Sequence, residues 1–175
     1  MKLTKKEITG RLPLFSLWVV FAAFGVFLDQ ITKNMAVSDL KGQGAKQFIP
    51  YIFDLIYVEN RGAAWGMFQG SQLPLTVFAV FALVWLMWKI RPVYLKMRGG
   101  VICLALLAGG ILGNSYDRLF RTGVIDFLDF HWGDSHFPAF NIADSCICVG
   151  VALLCLLQFL ADRKKGKSGL PQEQD

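Results

Sequence analysis

The stretch from Gly109 to Asp144 concentrates the polar chemistry of an otherwise apolar chain. It holds five aspartates, two arginines and both histidines, and apolar sequence brackets it on each side. An ionisable side chain at membrane depth is costly, so aspartates retained at the ends of membrane helices are candidates for a functional site. We therefore expect this stretch to carry the chemistry.

Two of these aspartates, Asp126 and Asp144, have the most apolar surroundings. Two carboxylates can hydrolyse an amide without a metal or a nucleophilic side chain, because one takes the proton of the attacking water and the other protonates the leaving nitrogen. Like charges about 3 Å apart cannot both ionise, so such a pair shares one proton. A plainer interpretation of Asp144 stays open: with Asn141 as N-cap, it is a capping acid in the first turn of a helix.

Other polar residues fall at helical spacing near this pair. Asn114, Asp117 and Arg118 share one side of a predicted helix, so an amide, a carboxylate and a guanidinium can converge at its end. Asp29 and Lys33, spaced i,i+4, are interpreted as a surface ion pair of little energetic value that can still shape the site.

The elements that must position these residues are membrane helices. The chain has 175 residues, 54% of them hydrophobic and 15 of them phenylalanine, which is too apolar for a soluble domain of this size. The basic residues fall between apolar segments rather than along one stripe, so no nucleic-acid partner is expected. We predict one domain over residues 1–165 and a disordered cytoplasmic tail over 166–175. The expected spans are about 12–29, 71–89, 99–117 and 142–161.

The first span lacks a small-x-small cleavage site before Asp29, so it is not expected to be a removed signal peptide. Basic residues in the alternating loops predict the orientation of the spans. Twelve of the 18 fall at the two ends of the chain and between the second and third spans, so both termini are predicted to be cytoplasmic and the aspartates to face outward. These twelve are Lys2, Lys5, Lys6, Arg11, Lys89, Arg91, Lys96, Arg98, Arg163, Lys164, Lys165 and Lys167.

The outward loop over 30–70 is the largest part outside the spans. Residues 47–58 are rich in aromatic and β-branched side chains, which predicts two short strands on the membrane surface. After Asn60 we expect a turn and a short interfacial helix that dips Trp65 and Phe68 into lipid, the alternative being an ordinary amphipathic connector. Alternation over 124–130 predicts a short extended segment that aims Asp126 inward. The predicted fold is an all-α membrane protein of four transmembrane helices with a small extracytoplasmic β-rich subdomain and a short interfacial helix.

Competing chemistry has little support. The sequence has no His-Glu-x-x-His and no Gly-x-Ser-x-Gly, and His131 and His136 flank a turn that we interpret as a solvated loop, so no metal and no cofactor are expected. The four cysteines fall in predicted spans and are interpreted as small core residues without disulfides. A small proton-coupled transporter or channel is the alternative function, with Asp126, Asp144 and Arg118 as a relay. It lacks a path, because every acid of the motif lies at one end of the helices.

Four blocks of this sequence resemble, in order, the signature blocks of bacterial lipoprotein signal peptidase, also called signal peptidase II. The resemblance covers nearly the whole chain. Arg61 and Trp65 depart from the usual pattern, in which a small or polar residue and a phenylalanine are expected, and they leave substrate preference open. The blocks are Asn60-Arg61-Gly62-Ala63-Ala64-Trp65-Gly66, Gly109-Gly110-Ile111-Leu112-Gly113-Asn114-Ser115-Tyr116-Asp117-Arg118, Gly123-Val124-Ile125-Asp126-Phe127 and Phe140-Asn141-Ile142-Ala143-Asp144-Ser145.

The resemblance implies an intramembrane aspartic endopeptidase with Asp126 and Asp144 as the catalytic dyad. Its substrates would be prolipoproteins, cut on the amino side of a cysteine that carries diacylglycerol. The resemblance implies a location in the bacterial inner membrane, with the active site at the outer face. We expect a monomer in contact with membrane lipid, although the sequence does not reveal the oligomeric state. The residues implied to bind substrate are Asn60, Gly110, Asn114, Arg118 and Asn141, and those implied to support the site are Asp29, Lys33 and Asp117.

Overall fold

The structure is a computed structural model that describes residues 12–62, 67–94, 97 and 99–168. In this part of the chain, four helices each contain a segment long and apolar enough to cross a membrane. The predicted class, four membrane helices with a small antiparallel sheet, is confirmed. In chain order the elements are α1 (Leu12–Leu40), β1 (Lys46–Ile49), β2 (Phe53–Asn60), α2 (Gln72–Tyr94), α3 (Gly100–Phe120), β3 (Val124–Trp132), β4 (Ser135–His136) and α4 (Ile142–Ser168).

Helix α3 lies at the centre of the bundle and packs against α1, α2 and α4. In its most apolar stretch 72% of the residues are buried, against 11% to 17% in the other three helices, whose apolar sides face outward. An outward-facing apolar side is stable only in lipid, whereas α3 needs no lipid contact on most of its surface. The central helix is therefore also the one whose C-terminal end carries the polar motif.

Glycines on α3 let its neighbours come close. A Cβ on Gly109 would lie 3.0 Å from the carbonyl oxygen of Ala22, and the Gly25 backbone of α1 packs against the same point. A Cβ on Gly113 would lie 2.6 Å from Oδ2 of Asp29. Helix α1 therefore approaches α3 closely along Gly109-x-x-x-Gly113.

The sequence predicted that helix α1 ends near Asp29, but the helix continues to Leu40. Its last turns are stabilised by packing, because Ala36 and Leu40 are buried against Ile125 and Phe127 of β3. The sequence prediction stopped where continuous hydrophobicity stopped. The helix instead continues as an amphipathic segment with one apolar side against the sheet.

The strands form one sheet in the order β1, β2, β3, β4, each antiparallel to the next. The two short strands expected within 47–58 and the extended segment over 124–130 are both confirmed. The interfacial helix predicted to carry Trp65 and Phe68 cannot be followed, because residues 63–66, which include Trp65, lie outside the described residues. Residues 67–70 form a turn.

Helix α4 begins with the capping arrangement predicted for it. The Asn141 side-chain oxygen accepts from the Asp144 backbone N–H at 2.9 Å, and Oδ2 of Asp144 accepts from the Asn141 backbone N–H at 3.2 Å. The helix continues to Ser168, so the predicted tail is wrong for residues 166–168. Residues 169–175 lie outside the described part.

The interpretation of the cysteines as small core residues holds for Cys103, which is buried against Leu104 and Leu107. It is wrong for Cys148 and Cys155, which are exposed on α4, and all four thiols are free. A span of a small bundle has a lipid-facing side, and hydrophobic context alone does not tell that side from the interior.

Candidate active site

A cavity of about 790 Å³ opens where the end of β2, strand β3, the C-terminal end of α3 and the start of α4 meet. Both predicted catalytic aspartates, Asp126 and Asp144, line it together with Asn60, Asn114 and Arg118. The four elements therefore bring together residues that lie up to 84 positions apart in the sequence (60 to 144).

Asp126 is 3% exposed, and within the described ranges its side chain accepts hydrogen bonds from two neutral amides. Asn141 Nδ2 donates to Oδ1 at 2.7 Å, and Asn60 Nδ2 donates to Oδ2 at 3.1 Å. Burial, and then the negative charge of Asp144, raises the pKa of Asp126 from 3.8 to about 7, although the two amides and Lys33 act in the opposite direction. A carboxyl group with this pKa can hold a proton at neutral pH and release it.

Asp144 uses its two oxygens differently. Oδ2 caps the start of α4, and Oδ1 accepts from Asn114 Nδ2 at 2.7 Å at the cavity wall. The two interpretations of this residue are therefore compatible, because one oxygen caps the helix and the other lies in the polar cluster. Capping fixes the carboxylate in place, which a group that must meet a reacting atom requires.

Behind the cavity lies an ion cluster of Asp29, Lys33 and Asp117, each with no exposed surface. Lys33 Nζ is 2.7 Å from Asp29 Oδ2, 2.9 Å from Asp117 Oδ2 and 2.9 Å from Asn114 Oδ1. The interpretation of Asp29 and Lys33 as a surface pair is wrong. Helix α3 covers the face of α1 that carries the pair, which i,i+4 spacing alone does not reveal.

The remaining oxygens of this cluster hold backbone next to the two cavity aspartates. Asp29 Oδ1 accepts from the Ala143 N–H at 2.9 Å, and Asp117 Oδ2 accepts from the Ile125 N–H at 3.2 Å. Ala143 precedes Asp144 and Ile125 precedes Asp126 in the sequence. Lys33 thus links Asp29 and Asp117, the two carboxylates that hold the backbone next to Asp144 and Asp126.

The residues predicted to bind substrate divide into two groups. Asn60, Asn114 and Arg118 line the cavity, whereas Gly110 and Asn141 do not. Gly110 packs against the start of α4, where an added Cβ would lie 2.4 Å from the Ala143 carbonyl oxygen. Asn141 is completely buried and donates to Asp126, Asn114 and the Ile125 carbonyl. Both residues build the site from behind.

Comparison with known proteins places this cavity in a family. The sequence profile described as "Signal peptidase (SPase) II" matches residues 21–160, which include every residue of the cavity and of the ion cluster. The chain belongs to the signal peptidase II family. It is thus a member of a peptidase family and a multi-pass inner-membrane protein.

Individual signal peptidase II relatives agree with the profile. A lipoprotein signal peptidase of Syntrophotalea carbinolica is 40% identical over 152 residues, 85% of this chain and 94% of the relative. A lipoprotein signal peptidase of Clostridium acetobutylicum is 40% identical over 151 residues, covering 84% and 96%. A solved bacterial membrane enzyme is 30% identical with a TM-score of 0.67, covering 90% of this chain and 94% of that one.

In this signal peptidase II chain the sequence analysis missed two residues of the polar network. Gln30 Nε2 donates to Asp117 Oδ1 at 3.0 Å, and Arg121 Nε is 3.1 Å from the same oxygen. Arg121 thus brings a second cation to the buried Asp117, and its Nη2 also donates to Asn34 Oδ1 at 2.7 Å. The signal was the polar pair Gln30 and Asn34 at helical spacing beside Asp29 and Lys33.

The histidines were also misjudged. His131 and His136 lie on β3 and β4 rather than in a solvated loop, and their rings stack at 4.9 Å. His136 Nδ1 is 2.8 Å from Asp129 Oδ2, and Asp129 is 4% exposed. A turn of only Gly133 and Asp134 lets the strands pair up to His136 and cover this carboxylate.

Within the described ranges, no group of three or more histidine, cysteine, aspartate or glutamate side chains is arranged to hold a metal ion. The amide nitrogens around the two cavity aspartates donate hydrogen bonds to the carboxylates, and the amide oxygens accept hydrogen bonds from other protein groups. The polar cluster of this signal peptidase II chain thus surrounds the two carboxyl groups with hydrogen-bond donors.

Proposed function

We propose that the chain is an intramembrane aspartic endopeptidase that removes signal peptides from prolipoproteins. It cleaves on the amino side of a cysteine modified with diacylglycerol. The observation that carries the proposal is the pair Asp126 and Asp144 in one cavity, with the pKa of Asp126 raised to about 7. Family membership and the name shared by the relatives, lipoprotein signal peptidase, support the substrate class.

The chemistry follows from the environments of the two groups. Asp144 acts as the base that takes a proton from water, and the oxygen of that water forms a bond to the scissile carbonyl carbon. Protonated Asp126 gives its proton to the leaving nitrogen as the C–N bond breaks, and the two carboxyl groups then again share one proton. Asn114 holds Asp144, while Asn60 and Asn141 hold Asp126. Arg118 lies beside both carboxyl groups as a donor to the substrate backbone.

The cavity suits a lipid-modified peptide. Its lining combines the polar groups around the two aspartates with apolar residues, among them Val58, Val149 and the segment 137–140. The diacylglycerol chains can remain in the bilayer while the peptide bond lies against the aspartates, so the lipid need not be extracted into water. We propose that residues 1–165 act as one monomeric domain and that the exposed apolar helix faces contact membrane lipid.

The orientation proposed from the basic residues places both termini in the cytoplasm and the cavity at the periplasmic face. Reporter tags at Met1 and Asp175 should both give a cytoplasmic signal. A tag at the Gly133–Asp134 turn should give a periplasmic one. Any other combination would require a different number or direction of spans.

The decisive test of function uses the purified protein in detergent and two forms of one prolipoprotein, with and without diacylglycerol on the cysteine. We expect cleavage of the modified form only, with the modified cysteine as the new N-terminus by mass spectrometry. Activity should persist in EDTA. Cleavage at another bond, or zinc-dependent activity, would refute the proposal.

A further inference from the structure

One wall of the cavity is a short segment without regular structure. Residues 137–140 (Phe-Pro-Ala-Phe) all line the cavity and connect β4 to the N-cap of α4. Backbone hydrogen bonds hold the segment at its ends: Phe137 N–H donates to the Phe130 carbonyl at 2.7 Å, and Phe140 N–H donates to the Leu128 carbonyl at 3.1 Å. We call residues 137–140 the apolar wall. Pro138 has no N–H to donate, so the position of the wall depends on these ends.

The residue that precedes the wall is His136, on the last pair of strand β4. Its Nδ1 lies 2.8 Å from Oδ2 and 3.1 Å from Oδ1 of Asp129. An ionised carboxylate only accepts hydrogen bonds, so Nδ1 is the donor. The Asp129 side chain is 6% exposed and the His136 side chain 52% exposed, so a rigid, buried acceptor holds a partly exposed donor.

The surroundings of Asp129 reinforce this bond. Asp129 lies directly opposite Asp54 on β2, and like charges opposite each other on one sheet face are unfavourable. The two imidazoles lie beside the two carboxylates, with His131 Nε2 3.4 Å from Asp54 Oδ2 and the His131 ring stacked on that of His136. On β1, the residue paired with Asp54 is Gln47, which carries no charge that could offset the carboxylates. The histidines are the groups that make this pair of carboxylates tolerable.

We infer that His136 is a positioning residue: its hydrogen bond to Asp129 fixes the apolar wall and thereby sets the affinity for substrate. The inference rests on the proposed function, because the wall contacts the apolar part of a bound prolipoprotein only if the cavity is the substrate site. Asp129 and His136 lie outside the set of cavity-lining residues, so their effect on substrate passes through the wall. Loss of the bond should therefore weaken binding and leave the chemical step unchanged.

The test compares His136→Leu with His136→Asn in the purified full chain acting on the diacylglyceryl-modified prolipoprotein. The asparagine amide nitrogen occupies the position of Nδ1 and keeps the donor, whereas leucine removes it. The leucine variant should raise KM about tenfold with kcat within about twofold of wild type, since a hydrogen bond to a charged group is lost. The asparagine variant should keep KM close to wild type.

Two further measurements keep the test decisive. The Kd for uncleaved substrate, measured in the Asp144→Asn background, should rise in parallel with KM for His136→Leu and stay unchanged for Asp134→Asn, an exposed residue of the same hairpin. If the leucine protein does not accumulate, His136→Gln replaces it, because its donor is displaced from the Nδ1 position and should also raise KM.

The outcomes separate the two proposals. If wild type leaves the modified prolipoprotein intact, the proposed function fails. If wild type cleaves it and His136→Leu has an unchanged KM, only the inference about His136 fails. Equal damage from His136→Leu and His136→Asn would also overturn it, since the donor at Nδ1 would then not matter.

Discussion

Strand β3 carries two buried carboxylates whose hydrogen-bond partners differ in their ability to carry charge. Asp126 and Asp129 are 3% and 4% exposed, and alternation along the strand places them on opposite faces of the sheet. Asp126 accepts from the neutral amides of Asn60 and Asn141, while Asp129 accepts from the imidazole of His136, which can carry a matching charge. Burial alone therefore does not distinguish a carboxyl group poised for proton transfer from one that holds structure. The partners do.

The largest expected effect tests the proposed role of Asp126 and Asp144 in proton transfer. Asp126→Asn and Asp144→Asn should each lower kcat by at least about 10³-fold, and the double variant should be no worse, because the two groups act as a unit. Asparagine keeps the size and much of the hydrogen bonding, so the variants should insert into the membrane and still bind substrate. The measurement is single-turnover cleavage alongside substrate Kd. Substantial activity in either single variant would remove that residue from the dyad.

The next largest effect concerns the ion cluster behind the dyad. Lys33→Met leaves the buried Asp29 and Asp117 without their shared cation, and breaking a buried pair in this way costs about 3–5 kcal/mol. Thermal unfolding in detergent should show a large fall in Tm. The control is Arg61→Gln, because Arg61 pairs with Glu59 at 2.9 Å but its side chain is 61% exposed. That change should cost less than about 1 kcal/mol. Equal shifts would mean that the Lys33 cluster carries no special stability.

A third effect is the pH dependence of cleavage. With a pKa of about 7, Asp126 holds its proton below that pH and loses it above, so the general acid disappears as pH rises. Above about pH 7, kcat/KM should fall close to tenfold per pH unit. The Asp129→Asn protein should show the same inflection, since Asp129 lies on the other face of the sheet. An inflection near the ordinary aspartate value would show that Asp126 is ionised at neutral pH and is not the acid.

The sequence predicted the spans, the strands and the two cavity aspartates because each has a local signal. Continuous hydrophobicity marked the helices, alternation marked β3, and the spacing of Asn141 and Asp144 marked the cap of α4. It misplaced the end of α1, because residues after Asp29 are helical through packing against Ile125 and Phe127 rather than through hydrophobicity. Local patterns identified elements but not their contacts.

Burial of polar residues was the part that sequence reasoning could not supply. Asp29 and Lys33 were assigned to the surface, and both are buried under α3, an element distant in sequence. The same pattern Asp-x-x-x-Lys fits a solvated helix face and a buried cluster equally well. Only the packing of α3 on α1 decides between them. Gly110 likewise has a helix contact that the sequence did not reveal, because an added Cβ would meet the Ala143 carbonyl oxygen, and its role in substrate binding stays a prediction.

The smallest expected effect tests the structural role of Asp129. The substitution is the same change, aspartate to asparagine, that should abolish activity at Asp126. Asp129→Asn keeps an oxygen that can accept from His136 Nδ1 but removes the charge, so the hydrogen bond weakens without being lost. We expect KM to rise about twofold to threefold, kcat to stay unchanged, and Tm to fall slightly or not at all, because the repulsion between Asp129 and Asp54 is relieved at the same time. Steady-state kinetics of Asp126→Asn and Asp129→Asn, purified in parallel, provide the measurement, with Asp134→Asn as the exposed control. If Asp129→Asn lowers kcat as much as Asp126→Asn does, the distinction by hydrogen-bond partner is wrong, and the acid on β3 must be assigned again.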